Sequence, residues 1–250
     1  MANFAQLKQQ LRVLKLSGMT ETIEIRLDQA EEKQLGYTEL LSLLIDDELE
    51  LRRNRKLSRL ILQARLPGNQ TIETFDFKHN TSIDAIKIRE LATLRFIDKA
   101  ENIFFIGATG VGKTHLARAI AHMACRKYLS VQFFNFNNLL GDILKYDLSG
   151  KRDSLLKLLI RCDLLIIDDF GFKKVSPQAA EYIYTIVDQR YQEKSTLITS
   201  NRSMSDWSSI FPDPIMANAI MDRLAHNAHH IIIKGDSYRR LNSVKIKNGK

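Results

Sequence analysis

Residues 107 to 114 form the pattern in this sequence that most clearly indicates a chemical function. They are Gly107, Ala108, Thr109, Gly110, Val111, Gly112, Lys113 and Thr114. The glycines let the backbone curl so that successive amide groups point inward, where they attract phosphate oxygens. We expect Lys113 to reach the β- and γ-phosphates of a nucleotide and the Thr114 hydroxyl to bind Mg²⁺. The spacing predicts a phosphate-binding loop (P-loop), and the alternative is a glycine-rich turn that binds no ligand.

Two further apolar runs end in polar side chains of the kind that a nucleotide site needs. Residues 164–167 are apolar and precede Asp168 and Asp169. Asp168 is expected to hold Mg²⁺, usually through water, and Asp169 to orient or deprotonate the attacking water. Asn201 follows another apolar strand, where its amide is placed to bind the γ-phosphate or that water. By spacing alone, Asn201 fits a simple strand-to-loop turn equally well.

Arginines near the end of the chain are candidates for stabilising phosphate charge. Arg223 follows Asp222 on a predicted helix, and Arg239 and Arg240 follow the last predicted strand. An arginine acts on a γ-phosphate only when it is held rigidly, often by a neighbouring subunit, and the sequence leaves that geometry open.

Two histidines on the helix after the P-loop suggest a metal site at first sight. His115 and His122 are seven residues apart. Metal-binding histidine pairs on a helix are usually three or four residues apart, so we interpret these two as core or surface side chains.

Helices and strands that alternate after residue 66 are expected to position these residues. The predicted strands are Asn102–Ile106, Val131–Phe134, Leu164–Asp168, Thr196–Ser200 and His230–Ile233, and a helix is predicted from Lys113 to about Lys127. This alternation indicates an α/β fold with a five-stranded parallel sheet and helices on both faces. Residues 1–66 contain no proline and have apolar side chains at helical spacing. We therefore predict a helical N-terminal domain over 1–66 and a nucleotide-binding domain over 67–250.

Composition and charge restrict the cellular location and the partners. No apolar run approaches the length of a membrane span and the first residues lack a secretory pattern, so a cytoplasmic protein without a membrane partner is expected. Cys125 and Cys162 are isolated among apolar neighbours, which predicts buried, reduced thiols. The net charge is +8 and the pI is about 9.4, which favours an anionic partner such as nucleic acid.

Basic residues are concentrated in two places. One group lies near the end of the N-terminal helices and comprises Arg52, Arg53, Arg55 and Lys56. We predict that this group contacts DNA, and the alternative is a solvated helix face. The other group, from Lys234 to Lys250, is either a solvated tail or a second nucleic-acid contact.

The motifs together resemble the AAA+ ATPases and, within them, the IstB-type transposition helper proteins, which are related to the helicase loader DnaC. The resemblance runs from about Thr71 to Arg239 and rests on GATGVGKTHLA, LLIIDDFG, LITSN, DWSSIFPDPIMANAIMDRL and GDSYR. It implies a sheet of strand order 5-1-4-3-2 and ATP with Mg²⁺ bound between protomers of a ring or spiral. It also implies that Arg223 is the arginine finger for the neighbour's ATP, Asn201 the first sensor and Arg239 the second. At the place of Asp169, glutamate is the commoner residue in AAA+ proteins. The shorter acid places the water less well, so hydrolysis is expected to be slow.

For such a family the implied function is ATP-controlled self-assembly on double-stranded DNA and recruitment of a transposase to target sites. One alternative is a DnaC-like helicase loader, which the core motifs do not separate from a transposition helper. A second is a DNA scaffold in which hydrolysis only resets the assembly. A small-molecule kinase or GTPase is disfavoured, because the sequence has no Asn-Lys-x-Asp motif and little length for an acceptor-binding lid.

Overall fold

The computed structural model describes residues 4–66, 68, 70–78, 80, 82–238 and 240. The chain divides into two compact units, residues 1–59 and 60–250. Within the described ranges, no helix combines the length and apolar character needed to cross a membrane.

The first unit is helical, as predicted. It contains α1 (Phe4–Val13), α2 (Ser17–Lys33) and most of α3 (Tyr37–Gln63). Where α2 begins, Glu48 of α3 accepts hydrogen bonds from the backbone N–H groups of Gly18, at 2.6 Å, and Met19, at 3.4 Å. A Cβ atom at Gly18 would lie 2.6 Å from the Cα of Glu48, so only glycine permits this close approach. The buried carboxylate satisfies amides that would otherwise lack a partner at the helix N-terminus.

The second unit is a five-stranded parallel sheet flanked by helices. Its strands are β1 (Asn102–Gly107), β2 (Val131–Asn135), β3 (Leu164–Asp168), β4 (Ser195–Ser200) and β5 (Ala228–Ile233). Its α-helices are α4 (Ala85–Ala92), α5 (Arg95–Asp98), α6 (Lys113–Arg126), α7 (Phe136–Leu148), α8 (Arg152–Arg161), α9 (Pro177–Arg190), α10 (Met204–Trp207) and α11 (Pro214–Ala225), and a 3₁₀ turn spans Ser208–Ile210.

The strands lie in the order β2-β3-β4-β1-β5, which confirms the order 5-1-4-3-2 when read from the other edge. Phe104 of β1 is paired in register with Ile198 of β4, and Ile166 of β3 is paired with Leu197 of β4. The side chains of β3 and β4 are buried throughout, as expected for parallel strands that helices cover on both faces. All five strands contain the predicted runs, with ends that differ by two residues at most.

Side-chain caps fix the beginnings of several helices in this unit. Asp84 accepts from the backbone N–H of Ile86 at 2.8 Å, and Asp213 accepts from that of Ile215 at 3.0 Å. Proline follows the cap of α9 and of α11, where its missing N–H costs nothing. These caps account for where the helices begin.

Aromatic side chains form the centre of the core under the sheet. The Trp207 ring packs edge-on against Phe104 and Phe170, with centroids 5.2 and 4.8 Å apart. Both cysteines are free and buried, as predicted, and burial raises the pKa of the Cys125 thiol to about 11. These thiols are packing groups with little thiolate character.

Candidate nucleotide-binding site

The ends of three neighbouring strands surround a cavity of about 670 Å³ in the second unit. β1 runs into the P-loop, β3 ends at Asp168, and β4 ends at Ser200. Because β4 lies between β1 and β3, the three carboxyl ends meet at one edge of the sheet, which is where parallel α/β sheets bind ligands. The P-loop, both acids, Asn201, Tyr238 and side chains from the segment 70–80 line this cavity.

The P-loop has the curled backbone that its glycines predict. Gly110 and Gly112 have φ angles of +86° and +103°, and α6 begins directly after them at Lys113. The Lys113 ammonium group is held inside the loop, where it donates to the carbonyl oxygens of Gly107 and Ala108 at 2.7 and 2.8 Å. A helix N-terminus and a buried cation together make this loop a site for anions.

Neighbouring segments press closely on the two glycines. A Cβ atom at Gly112 would lie 2.5 Å from the Phe75 ring, and one at Gly110 would overlap the Ser237 side chain. Any larger residue at either position would therefore force the loop or its neighbour to shift and would strain the loop backbone.

Asp168 is buried at the end of β3 and receives hydrogen bonds from two hydroxyl groups. Thr114 donates to its Oδ1 at 2.8 Å, and Thr199 donates to the same oxygen at 2.5 Å. Burial is the main reason why the pKa of Asp168 is raised, and the charge of Asp169 raises it further, while these hydroxyls and Arg118 act in the opposite direction. A cation at this carboxylate would relieve the cost of its burial.

The donor set suits Mg²⁺. The Thr114 hydroxyl and the Asp168 carboxylate are both oxygen ligands, which Mg²⁺ prefers, and they are already in contact with each other. These two residues would therefore hold the ion, as the sequence predicts.

Asp169 is held in an unusual backbone conformation and its carboxylate has a defined partner. Its φ is +57°, a left-handed conformation that costs about 1–3 kcal/mol in general and that Asp tolerates better than most residues. Its N–H donates to the Thr199 hydroxyl at 3.0 Å, and its Oδ2 accepts from the Asn135 amide at 3.1 Å. Asn135 is fixed in turn, because its Oδ1 caps α7 by accepting from the N–H of Asn137. The carboxylate is therefore aimed by a side chain from the neighbouring strand.

Two further predicted site residues are Asn201 and Arg239. Asn201 lies directly after β4 and lines the cavity. Arg239 lies outside the described residues, as does most of the basic C-terminal tail. The residue before it, Tyr238, also lines the cavity, and its N–H donates to the Gly110 carbonyl at 3.0 Å.

Arg223 does not line the cavity of its own chain. Its Nε lies 2.9 Å from Asp188 Oδ1, and its Nη1 donates to the Ala219 carbonyl at 3.0 Å. The guanidinium also lies over the Tyr184 ring, 5.3 Å from the centroid. These contacts hold the guanidinium outside the cavity of its own chain.

The two histidines of α6 differ in their surroundings. His115 Nε2 lies 3.0 Å from the Thr71 carbonyl oxygen, and the ring packs edge-on against Phe75. His122 is buried, and this burial lowers its pKa. Both therefore have packing roles that fit the sequence interpretation.

The predicted DNA-contacting residues lie on α3 in the first unit, and the side chains of all four are exposed. Arg52 pairs with the buried Glu48 at 2.6 Å, and Arg55 lies 3.7 Å from Glu21. The Arg52 charge is thus partly neutralised within the unit, whereas the Arg55 pair is long and exposed and therefore weak.

Two residues of the site, Thr199 and Asn135, were not predicted from the sequence. Thr199 precedes Ser200 and Asn201 in a run that was assigned to the strand, and Asn135 ends β2 at the same sheet edge as the other site residues. The available signal was a polar residue at the end of a predicted parallel strand. Asn135 has this signal, because it ends β2 and α7 starts immediately afterwards.

The fold and the site define the class of the protein. The strand order, the P-loop after β1 and the acids after β3 are those of an AAA+ core. Solved structures agree: the chain is similar to the DnaC helicase loader with a TM-score of 0.59 and 26% identity, over 66% of this chain and 97% of that one. It also matches AMPPCP-bound DnaA from Aquifex aeolicus with a TM-score of 0.59 and 19% identity, over 73% of this chain and 56% of that one, which shows a likeness of fold.

The family follows from the sequence comparisons. The model of the IstB-like ATP binding proteins matches residues 9–246, and the chain belongs to this family. The insertion sequence IS5376 protein of Geobacillus stearothermophilus, named for ATP binding, is 36% identical over 226 residues, which are 90% of each chain. The corresponding IS21 protein of Pseudomonas aeruginosa is 35% identical over 90% of this chain and 85% of its own length. The predicted resemblance is thereby confirmed.

Proposed function

We propose that this chain is a DNA-binding transposition helper that binds and hydrolyses ATP. It self-assembles on double-stranded DNA and directs a partner transposase to target sites, and hydrolysis controls the assembly. The observation that carries this proposal is the meeting of the P-loop, Asp168 and Asp169 around one cavity in a chain of the IstB-like family. The insertion-sequence origin of its relatives supports the transposition role.

The proposed reaction adds water to the γ-phosphorus of ATP and releases ADP and phosphate. The P-loop amides and Lys113 hold the phosphates, and Asp169 accepts the proton of the attacking water. Asn135 keeps the Asp169 carboxylate in place, Thr199 holds the Asp169 backbone, and Asn201 binds the γ-phosphate or the water. When bound at Thr114 and Asp168, Mg²⁺ would neutralise phosphate charge.

A complete site in this proposal contains residues of two protomers. Arg223 is held by contacts with Asp188 and Tyr184 and does not line its own cavity, which supports a role at the ATP of a neighbour in a ring or spiral. Arg239 is proposed as the second sensor because it follows Tyr238, whose backbone contacts the P-loop.

The first test of the proposal is nucleotide binding itself. Lys113→Ala removes the buried ammonium group, and the Kd for ATP with Mg²⁺ is expected to rise about 10- to 100-fold, since hydrogen bonds to charged groups contribute about 1.5–3 kcal/mol. Isothermal titration calorimetry measures the change. Lys127→Ala, just beyond the other end of α6, is the control and should bind as the wild type does. A wild-type protein that binds no ATP, even with duplex DNA present, contradicts the proposed function.

The DNA contact is tested by reversing charges on α3. Arg53→Glu combined with Arg55→Glu is expected to weaken binding to duplex DNA about tenfold or more and to reduce the dependence of log K on log salt by about one per lost phosphate contact. ATP binding should be unchanged. Arg52 is kept because it neutralises the buried Glu48. Fluorescence anisotropy over a salt series measures both quantities.

The matched control changes the same amount of charge elsewhere in the first unit. Arg12→Glu combined with Lys33→Glu alters the basic residues at the ends of α1 and α2. If this pair weakens DNA binding as much as the α3 pair does, net charge is responsible and the assigned patch is wrong.

A DnaC-like helicase loader is the second candidate, and the likeness to the DnaC structure favours it. The two functions differ in their protein partner. Co-purification of the tagged full chain from cells that contain both a transposase of an IS21-type element and the replicative helicase separates them. Recovery of the helicase without the transposase supports the loader and contradicts the transposition role.

A further inference from the structure

Two carbonyl groups of the P-loop are held from outside the loop. The Val111 oxygen accepts from the Asn80 side-chain amide at 3.4 Å, and the Gly110 oxygen accepts from the Tyr238 N–H at 3.0 Å. In a trans peptide unit the C=O of one residue and the N–H of the next point in opposite directions. The hydrogen bond to the Val111 carbonyl therefore fixes the direction of the Gly112 N–H, and the hydrogen bond to the Gly110 carbonyl fixes that of the Val111 N–H.

Asn80 is itself fixed in one orientation. Its side chain is only 5% exposed, and its Oδ1 accepts from the Ser82 backbone N–H at 3.2 Å and from the Ser82 hydroxyl at 2.7 Å. A backbone N–H can only donate, so the amide oxygen must face Ser82. The amide nitrogen is consequently the group that faces Val111.

The two holding segments are joined to each other. The Ser82 hydroxyl lies 2.7 Å from the Lys234 carbonyl oxygen and accepts from the Lys234 N–H at 2.9 Å. Lys234 directly follows β5, and the segment from Lys234 to Tyr238 ends against Gly110. Asn80, Ser82 and this segment thus form one hydrogen-bonded clamp on the P-loop.

We propose that Asn80 is a positioning residue for nucleotide binding, which presets the Gly112 amide before the phosphates arrive. The inference rests on the proposed use of the P-loop as a triphosphate site. Amides that are already aligned bind an anion without the cost of ordering the loop, so the clamp contributes to ATP affinity. Asn80 forms no hydrogen bond with Asp168 or Asp169, so the chemical step at saturating ATP does not depend on it.

The decisive variant is Asn80→Asp, which keeps the size and the acceptor facing Ser82 but replaces the donor facing Val111 by an anionic acceptor. The Kd for ATP with Mg²⁺ is expected to rise about tenfold or more, while kcat at saturating ATP stays unchanged. Lowering the pH protonates the introduced carboxyl group and restores a donor. The ratio of variant to wild-type Kd should therefore fall as the pH falls, which simple loss of structure would not produce.

Gln70→Glu is the control for an added negative charge, because Gln70 lines the same cavity as Asn80. Its Kd should rise much less than that of Asn80→Asp, and an equal rise with the same pH dependence would assign the effect to charge and overturn the clamp. Ser82→Ala removes the hydroxyl that links Asn80 to Lys234 and is expected to raise the Kd severalfold. It is the deciding variant if Asn80→Asp does not fold.

The outcomes separate the clamp from the proposed function. Wild-type ATP binding together with an unchanged Kd in the folded Asn80→Asp variant overturns the clamp alone, and so does a raised Kd with no recovery at lower pH. If Asn80→Asp does not fold, an unchanged Kd in Ser82→Ala overturns it. Failure of the wild type to bind ATP overturns the nucleotide site and the clamp with it.

Discussion

Arg223→Ala is expected to lower ATP turnover of the DNA-bound assembly about a thousandfold, because an arginine finger supplied by a neighbour contributes about 10³–10⁵ to turnover in related phosphoryl-transfer enzymes. The Kd of the single chain for ATP should not change, since Arg223 does not line the cavity of its own chain. The exposed pair with Asp188 contributes little to stability, so the melting temperature should stay close to that of the wild type. Phosphate release and ATP titration measure the two quantities separately.

Mixing two impaired variants tests whether Arg223 acts on a neighbour. Arg223→Ala retains an intact P-loop, and Lys113→Ala retains an intact Arg223, so a mixed assembly contains some complete sites. Turnover of the mixture should exceed that of either variant alone. Arg161→Ala, at the end of α8, is the control for loss of a surface arginine and should be fully active. An Arg223→Ala protein with wild-type turnover, or a mixture without recovery, contradicts the assignment.

Asp169→Asn is expected to lower turnover by at least about a hundredfold, the lower limit for loss of a general base. Asparagine tolerates the left-handed backbone at this position and retains an oxygen that can accept from Asn135, so the fold of the site should persist. ATP binding should therefore be retained. Asp153→Asn, an exposed acid on α8, is the control and should hydrolyse ATP normally.

The same variant distinguishes two roles for hydrolysis. If the Asp169→Asn protein assembles on DNA with ATP but no longer disassembles, hydrolysis acts as a timer that resets the assembly. If it fails to assemble, turnover is needed earlier. Sedimentation on duplex DNA, followed over time after dilution of ATP, separates these outcomes. An Asp169→Asn protein that hydrolyses ATP at the wild-type rate removes Asp169 from the proposed chemistry.

The sequence was sufficient for the parts of the site that are local in the chain. The P-loop, the start of α6 and the acids after β3 were predicted, because glycine spacing and an apolar run that ends in acids act through the nearest few residues. The strand order was confirmed too, but it came from the family resemblance, since local patterns do not specify which strands become neighbours.

Only the tertiary structure decided which distant side chains support these residues. Asn135 reaches Asp169, Thr199 contacts Asp168, and Asn80 meets Val111, and each pair is about 30 residues apart in sequence. The first two contacts exist because β3 lies between β2 and β4, and the third because Phe75 and Asn80 lie against the P-loop. The sequence also did not predict that Arg223 lies outside its own cavity, because the direction of a helical side chain depends on how the helix packs. Short sequence motifs therefore identify the residues that bind the nucleotide. The arrangement of the sheet determines which residues orient them.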